Sequence, residues 1–406
     1  VLTITIAEQR IHYFDWLRGL AVLGVVIYHA LQPFASANWF IVNDRVDPVL
    51  ALVVNVLAIV GMPVLFLIAG ASAWFALQKR SIREFLGERA QRLLLPFAVG
   101  TLVLGSINGY ILGVFNRTAP ASFLEYAIAY PGIIFDYNVH HVGLSFRLLL
   151  VGVHLWFLGA LFVFCLAGAP IFAFLSSTRG RSMLAALARL SDRPGATLLF
   201  AVPATLPIVA LFASVEQPQL WDNWSFGFFS VVFLSGYVMY SDPRLASAAR
   251  RDSVPAIVIA LLGTGLLVVA NYAEWAMARQ QYGLTYFAML SLYGLTAWAW
   301  TLALLGLGMR ARFMQLPLPN RLGELAMPLY ILHYSFVSAI SVFVIRSPLE
   351  LPTKIAVNVV LGVGISLLGA IVATNVPFLR PLMGLRRTRS RFARTLPSAS
   401  PVGARI

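Results

Sequence analysis

Charge is what this 406-residue chain has least of: only 11% of its residues are Asp, Glu, Lys or Arg, against 59% hydrophobic. Soluble domains carry about a quarter charged residues, so a water-soluble globular enzyme is excluded, and a mean hydropathy of +0.81 excludes disorder. Cysteine is nearly absent. The single one, Cys165, rules out an intramolecular disulfide and a cysteine-built metal site. Lysine is scarce too: Lys79 and Lys354 leave 28 arginines among the 30 basic residues. Acidic residues are missing from the apolar centres of the hydrophobic runs, where Asp15 and Glu324 stand only at the ends. Cation-driven pumps usually place a carboxylate there. No internal repeat is evident, which weighs against a transporter built from inverted halves.

What is present is a succession of apolar runs long enough to cross a bilayer. Ten helices are expected, at about 16–35, 49–77, 93–112, 151–174, 196–214, 224–240, 255–271, 286–309, 325–344 and 355–376. The fold class is therefore all-α, a polytopic integral membrane protein. Alternate connecting segments hold 24 of the 30 basic residues, among them Lys79, Arg80, Arg83, Arg89, Arg92 and the tail arginines, and the others hold six. By the positive-inside rule both termini are cytoplasmic. The net charge of +14 has its cause in these loops and calls for no nucleic-acid partner. The first apolar run lacks a small-residue cleavage site and reads as a retained helix. Residues 1–385 read as one transmembrane domain with an outer loop at about 113–150, and 386–406 as a basic, disordered cytoplasmic tail suited to anionic lipid.

Ionisable residues inside spans are expensive and mark function by default. Here they are histidines: His29 in the first span, His333 in the ninth and His154 toward the outer end of the fourth. Arg18 and His29 stand eleven residues apart, about 16 Å along a helix and nearly on one face, and Asp15 is placed to pair with Arg18. A structural histidine, hydrogen-bonded to a neighbouring helix, is the plain alternative for each. Ser81 and Glu84 have the spacing of a capping box opening a short amphipathic helix. His140 and His141 have no companion ligands for a metal, and none is expected.

Several phrases in order resemble one family. Asp15-Trp16-Leu17-Arg18-Gly19 followed by His29, Phe66-Leu67-Ile68-Ala69-Gly70, Arg89-Ala90-Gln91-Arg92 ahead of Pro96, His154-Leu155-Trp156-Phe157 and Tyr330-Ile331-Leu332-His333 resemble the membrane acyltransferase-3 family, nearest its glucan biosynthesis protein C branch. The resemblance implies transfer of an acyl group, acetyl or succinyl, from cytoplasmic acyl-CoA to a carbohydrate or glycan hydroxyl across a bacterial inner membrane. It makes His29 the general base, aided by Arg18 and Asp15, with an acyl-histidine intermediate as the alternative. Arg89 and Arg92 would bind the donor with help from Arg83. His154, Trp156, Phe157, His333 and Tyr330 would line an acceptor site or cavity toward the outer side. No resident cofactor is called for, since acyl-CoA is a co-substrate. Any second transfer would need a separate periplasmic partner. A transporter or flippase of a sugar-containing or acylated substrate is the competing reading, and a membrane-embedded sensor a third.

Overall fold

A computed structural model describes residues 12–36, 39–137, 152–212, 223–272, 284–315 and 320–386. Every regular element among them is helical: α1 His12–Ala35, α2 Pro48–Leu77, α3 Ile82–Arg89, α4 Leu95–Asn116, α5 Phe123–Tyr137, α6 Trp156–Ser176, α7 Thr178–Leu190, α8 Ala201–Phe212, α9 Asn223–Ser241, α10 Pro243–Tyr272, α11 Leu284–Arg310, α12 Asn320–Arg346, α13 Leu351–Asn375 and the short α14 Leu379–Leu382. Eight helical stretches among the described residues are long and apolar enough to cross a membrane, and Ala196–Pro207 and Ser225–Ser241 are shorter apolar helices. These ten fall where the ten hydrophobic runs lie. The chain is a multi-pass membrane protein.

Helix α1 is the hub, packing on α2, α11, α12 and α13. A buried polar tie fixes it: the Asn358 side-chain amide on α13 donates to the Ala30 carbonyl at 2.7 Å and accepts from the Ser341 hydroxyl of α12 at 3.2 Å. Across the bundle α2 lies hard against α9. A methyl group on Gly70 would stand 1.8 Å from the Phe233 carbonyl oxygen, and one on Gly236 would stand 2.1 Å from that of Leu67. With no water to expel from between them, helices in a membrane gain by close approach, and reciprocal glycines provide it. Beside this contact Phe66 stacks on Phe229, with centroids 4.9 Å apart, and meets the Phe157 ring edge-on at 4.8 Å.

The ends are built as local chemistry dictates. Asp47 caps α2, accepting from the amides of Val49 and Leu50 at 2.8 and 3.1 Å ahead of Pro48. The Ser81–Glu84 capping box is formed at α3. From there the chain runs into α4 without a break, through one π-helical turn at Ala90–Leu94 in which the Leu95 amide reaches the Ala90 carbonyl. Pro96 has no N–H for the Arg92 carbonyl, and the ladder widens by one residue just ahead of it. Basic side chains among the described residues make long-range contacts with segments that the charge alternation puts on their own side. Arg386 pairs with Glu88 at 3.0 Å and Arg380 with Glu324 at 3.2 Å, whereas Lys354 meets Asn43 at 3.4 Å and Arg346 the Val114 carbonyl at 2.9 Å.

Two features depart from the expectation. Part of the outer loop is a helix, α5, which continues through Pro131. It packs on α4 because Tyr126 and Tyr130, one turn apart, set their hydroxyls where side chains at Gly109 and Gly105 would be, 2.3 Å from a methyl at either position. The seventh span is also longer than its apolar run, since α10 begins at Pro243 and carries Arg250 and Arg251 in its first turns. His140 and His141, like the tail from Arg387, lie outside the described residues.

Candidate functional site

Two cavities lie end to end along α1. The first, about 500 Å³, is lined by Asp15 and Arg18 of α1, Ser72 of α2, Arg89, Arg92 of the π turn, and Glu324 of α12. The second, about 370 Å³, is lined by Tyr28, His29, Trp39, His154, Trp156 and Tyr334 among others. Each of the framing helices contributes to both. On α1, Val22 faces the first and Val25 the second; on α2, Leu65 and Met62 do the same; on α6, Phe157 and Trp156. Tyr330 lines both cavities, and its ring meets that of Phe157 at 5.6 Å, edge to face. These two aromatic rings stand between the arginines and the histidines.

In the arginine cavity, Arg18 pairs with Asp15 at 3.6 Å and reaches toward the Ser72 hydroxyl at 3.5 Å. The Arg89 guanidinium lies over the Phe85 ring at 5.0 Å, a cation–π contact that keeps its polar edge available. Arg92 donates from Nε to the Gly384 carbonyl at 3.1 Å and sits 3.4 Å from Glu88. Glu324 is held by Arg380, which is largely buried and also donates to the Thr374 carbonyl at 2.8 Å. The positive charge of Arg89 and Arg92 is thereby left largely uncancelled by Glu324. Planar guanidinium forks beside an apolar wall suit a phosphorylated ligand with an uncharged arm.

The histidine cavity gathers residues from α1, α2, α6 and α12, from Trp39 and Phe40 after α1, and from the turn before α6. The His29 and His333 rings lie 5.1 Å apart, and those of His333 and His154 5.3 Å apart. Tyr334 joins them, stacked on His154 at 5.1 Å and edge-on to His29 at 5.1 Å. Two of the three imidazoles are committed to the backbone. His154 Nε2 donates to the Ile331 carbonyl at 2.7 Å, and His333 Nδ1 to the Tyr330 carbonyl at 2.7 Å. A carbonyl only accepts, so each of these rings keeps its second nitrogen as a lone pair, His154 Nδ1 and His333 Nε2, both buried and without a partner among the described residues. The Tyr330 hydroxyl donates to the His154 carbonyl, locking α12 to the turn before α6. His29 differs: its Nδ1 is buried without a partner, and its ring makes no hydrogen bond to a backbone carbonyl among the described residues.

The sequence-derived residues thus separate into two groups. Asp15, Arg18, Arg89 and Arg92 meet around one cavity, and His29, His154, Trp156 and Tyr330 around the next, with His333 packed behind them. His154, expected toward the outer side with Trp156 and Phe157, is buried inside the bundle at 5% exposure, as are Trp156 and Phe157. Phe157 faces the arginine side rather than the histidine side. Arg83 is exposed on α3 and lines neither cavity. Missed in the sequence were Tyr334, Trp39, Ser72 and the Glu324–Arg380 pair. Tyr334 had a signal, standing one turn after Tyr330 on the same helical face. Among the described residues no group of His, Cys, Asp and Glu is arranged to hold a metal ion.

Residues 11–375 match the acyltransferase-3 family, described as an acyltransferase domain. No curated protein and no solved structure matches the chain. With nearly the whole chain inside the match, the protein belongs to the acyltransferase-3 family and is an acyltransferase of membrane-embedded, all-helical construction.

Proposed function

We propose that this acyltransferase takes an acetyl or succinyl group from cytoplasmic acyl-CoA and delivers it to a hydroxyl of a carbohydrate or glycan reached from the other side of a bacterial cytoplasmic membrane. The observation that carries this reading is the line of two cavities sharing Tyr330, one ringed by arginines and the other by histidines. Arg18, Arg89 and Arg92 hold the phosphorylated end of the donor, and its uncharged arm extends between Leu65 and Phe157 toward His29. The acceptor enters the histidine cavity, where Trp39, Trp156 and Tyr28 offer ring faces to a sugar.

A hydroxyl becomes an effective nucleophile when a base takes its proton as the new bond forms, and imidazole is the side chain suited to this near neutral pH. The acceptor oxygen attacks the thioester carbonyl carbon and its proton passes to an imidazole nitrogen of His29. The C–S bond then breaks, and the thiolate leaves and takes up a proton. His29 is the base on its place in the lining of the cavity that the acceptor enters, on the helix that also carries Arg18, while the backbone hydrogen bonds of His154 and His333 hold those rings in position beside it.

Thermal unfolding of the purified protein with acetyl-CoA, succinyl-CoA, longer acyl-CoAs and CoA alone tests the donor. A ligand of the folded state raises the midpoint by mass action. The reading predicts a dose-dependent rise that Arg89→Ala/Arg92→Ala abolishes and His29→Ala retains. A cooperative transition unmoved by every thioester overturns it.

A further inference from the structure

A third cavity, about 710 Å³, adjoins the arginine cavity and shares Arg92 and Leu385 with it. Lys79, Arg80, Arg92 and Arg386 line it, against Glu84 and Glu88, so cations exceed anions by two. Neither carboxylate is spare. Glu84 is consumed by the capping box, accepting from the Ser81 amide and hydroxyl at 2.8 Å each. Glu88 lies among three guanidiniums, 2.5 Å from Arg80, 3.4 Å from Arg92 and 3.0 Å from Arg386. One carboxylate gripped by three arginines marks a place where the fold aims cationic forks at a single anion. A phosphate, with more charge and more acceptor oxygens, competes for the same forks. The elements that bring them together are distant in sequence: the end of α2, the amphipathic α3 and the segment after α14.

We propose that this adjoining basic cavity is the seat of the donor's nucleotide phosphates, with Lys79, Arg80 and Arg386 as their ligands and Glu88 as the internal anion they displace. It rests on the acyl-CoA reading above and extends it, because nothing in that reading requires Lys79, Arg80 or Arg386. The donor then lies in three stations: the nucleotide phosphates at Lys79, Arg80 and Arg386, the phosphate that joins the uncharged arm at Arg18, Arg89 and Arg92, and the thioester beyond Phe157 and Tyr330. Binding exchanges one anion for another, so the affinity falls with salt.

The test compares two donors on the full chain in neutral phosphatidylcholine nanodiscs: acetyl-CoA, and S-acetylpantetheine, which lacks the nucleotide and its phosphates. Lys79→Gln/Arg80→Gln weakens acetyl-CoA binding about tenfold or more, as loss of contacts to a charged group does, and leaves S-acetylpantetheine binding unchanged. Adenosine 3′,5′-bisphosphate displaces acetyl-CoA from the wild type and loses that power in the variant. Glu88→Gln moves the opposite way, tightening acetyl-CoA several-fold, a gain that damage to the fold would not produce. Equal weakening of both donors overturns the proposal, since it marks a structural effect. An unchanged acetyl-CoA affinity with a lost response to added phosphatidylglycerol also overturns it, and assigns the cavity to an anionic lipid headgroup. Failure of the wild type to bind either donor is a different result, and it sinks the acyl-CoA reading itself.

Discussion

Replacing Gly70 by alanine drives a methyl group against backbone, where no side chain can swing aside. The new carbon would stand 1.8 Å from the Phe233 oxygen and 3.1 Å from the Tyr237 nitrogen. Real Cβ contacts essentially never fall below 3.0 Å, so α2 and α9 must part by more than an ångström along the line where Gly236 meets Leu67. Overpacking of this kind costs about 1–3 kcal/mol, and backbone-to-backbone contact argues for the upper end. Helix propensity returns about 0.5–1 kcal/mol, leaving a net loss of about 2 kcal/mol, or about 2–3 °C in a chain of this length. Gly265→Ala is the control, because a methyl there meets nothing within 4 Å and carries the same propensity gain. Scanning fluorimetry of both variants in one detergent should separate them, with Gly265→Ala within about 1 °C of the wild type. Ser72, two residues from Gly70, is the partner of Arg18, so Gly70→Ala should also weaken acyl-CoA binding several-fold. Coincident melting curves for the two variants would refute the argument that reciprocal glycines set this helix contact.

Further predictions concern stability and positioning. Asp252→Ala should lower the midpoint through loss of about 3 kcal/mol, because the carboxylate serves the Gly195 amide at 3.0 Å, the Thr197 amide at 3.1 Å and the Thr197 hydroxyl at 2.7 Å. Binding of acyl-CoA should be unaffected, since Asp252 lines neither cavity, and an altered affinity would show that this staple reaches the site. Asn358→Leu leaves the Ala30 carbonyl without its side-chain donor, one residue from His29. It should cost about 1–2 kcal/mol and slow turnover more than it weakens donor binding; a reversed order of effects would remove α13 from the account of how His29 is held.

Hydrophobic runs placed the membrane helices because a bilayer demands uninterrupted apolar length, whatever the packing. The π turn at Ala90–Leu94 and the early start of α10 escaped, since both lie where polar residues interrupt the run. The helix α5 lies in the outer segment, which carries Pro131 and Gly132 and no long apolar run, while the tyrosine and glycine pairs that hold it could be matched only in three dimensions. Arg18 and His29 were recoverable from spacing on one helix, and Arg89 and Arg92 from a short phrase. That His154 and His333 stand beside His29 was not, because α1, α12 and the turn before α6 meet only through tertiary packing. The same holds for Glu88, whose three arginines come from the end of α2, the π turn and the segment after α14.

In the proposed division of labour the histidine cavity performs the transfer while the arginine end holds the donor. Its most direct test is thioester cleavage of acetyl-CoA with water as surrogate acceptor, read as released thiol, in the wild type and His29→Ala. General-base catalysis contributes about a hundred- to ten-thousand-fold. A loss of at least about a hundredfold is expected in His29→Ala, with the thermal shift by acetyl-CoA unchanged. Cleavage by His29→Ala at the wild-type rate would contradict it.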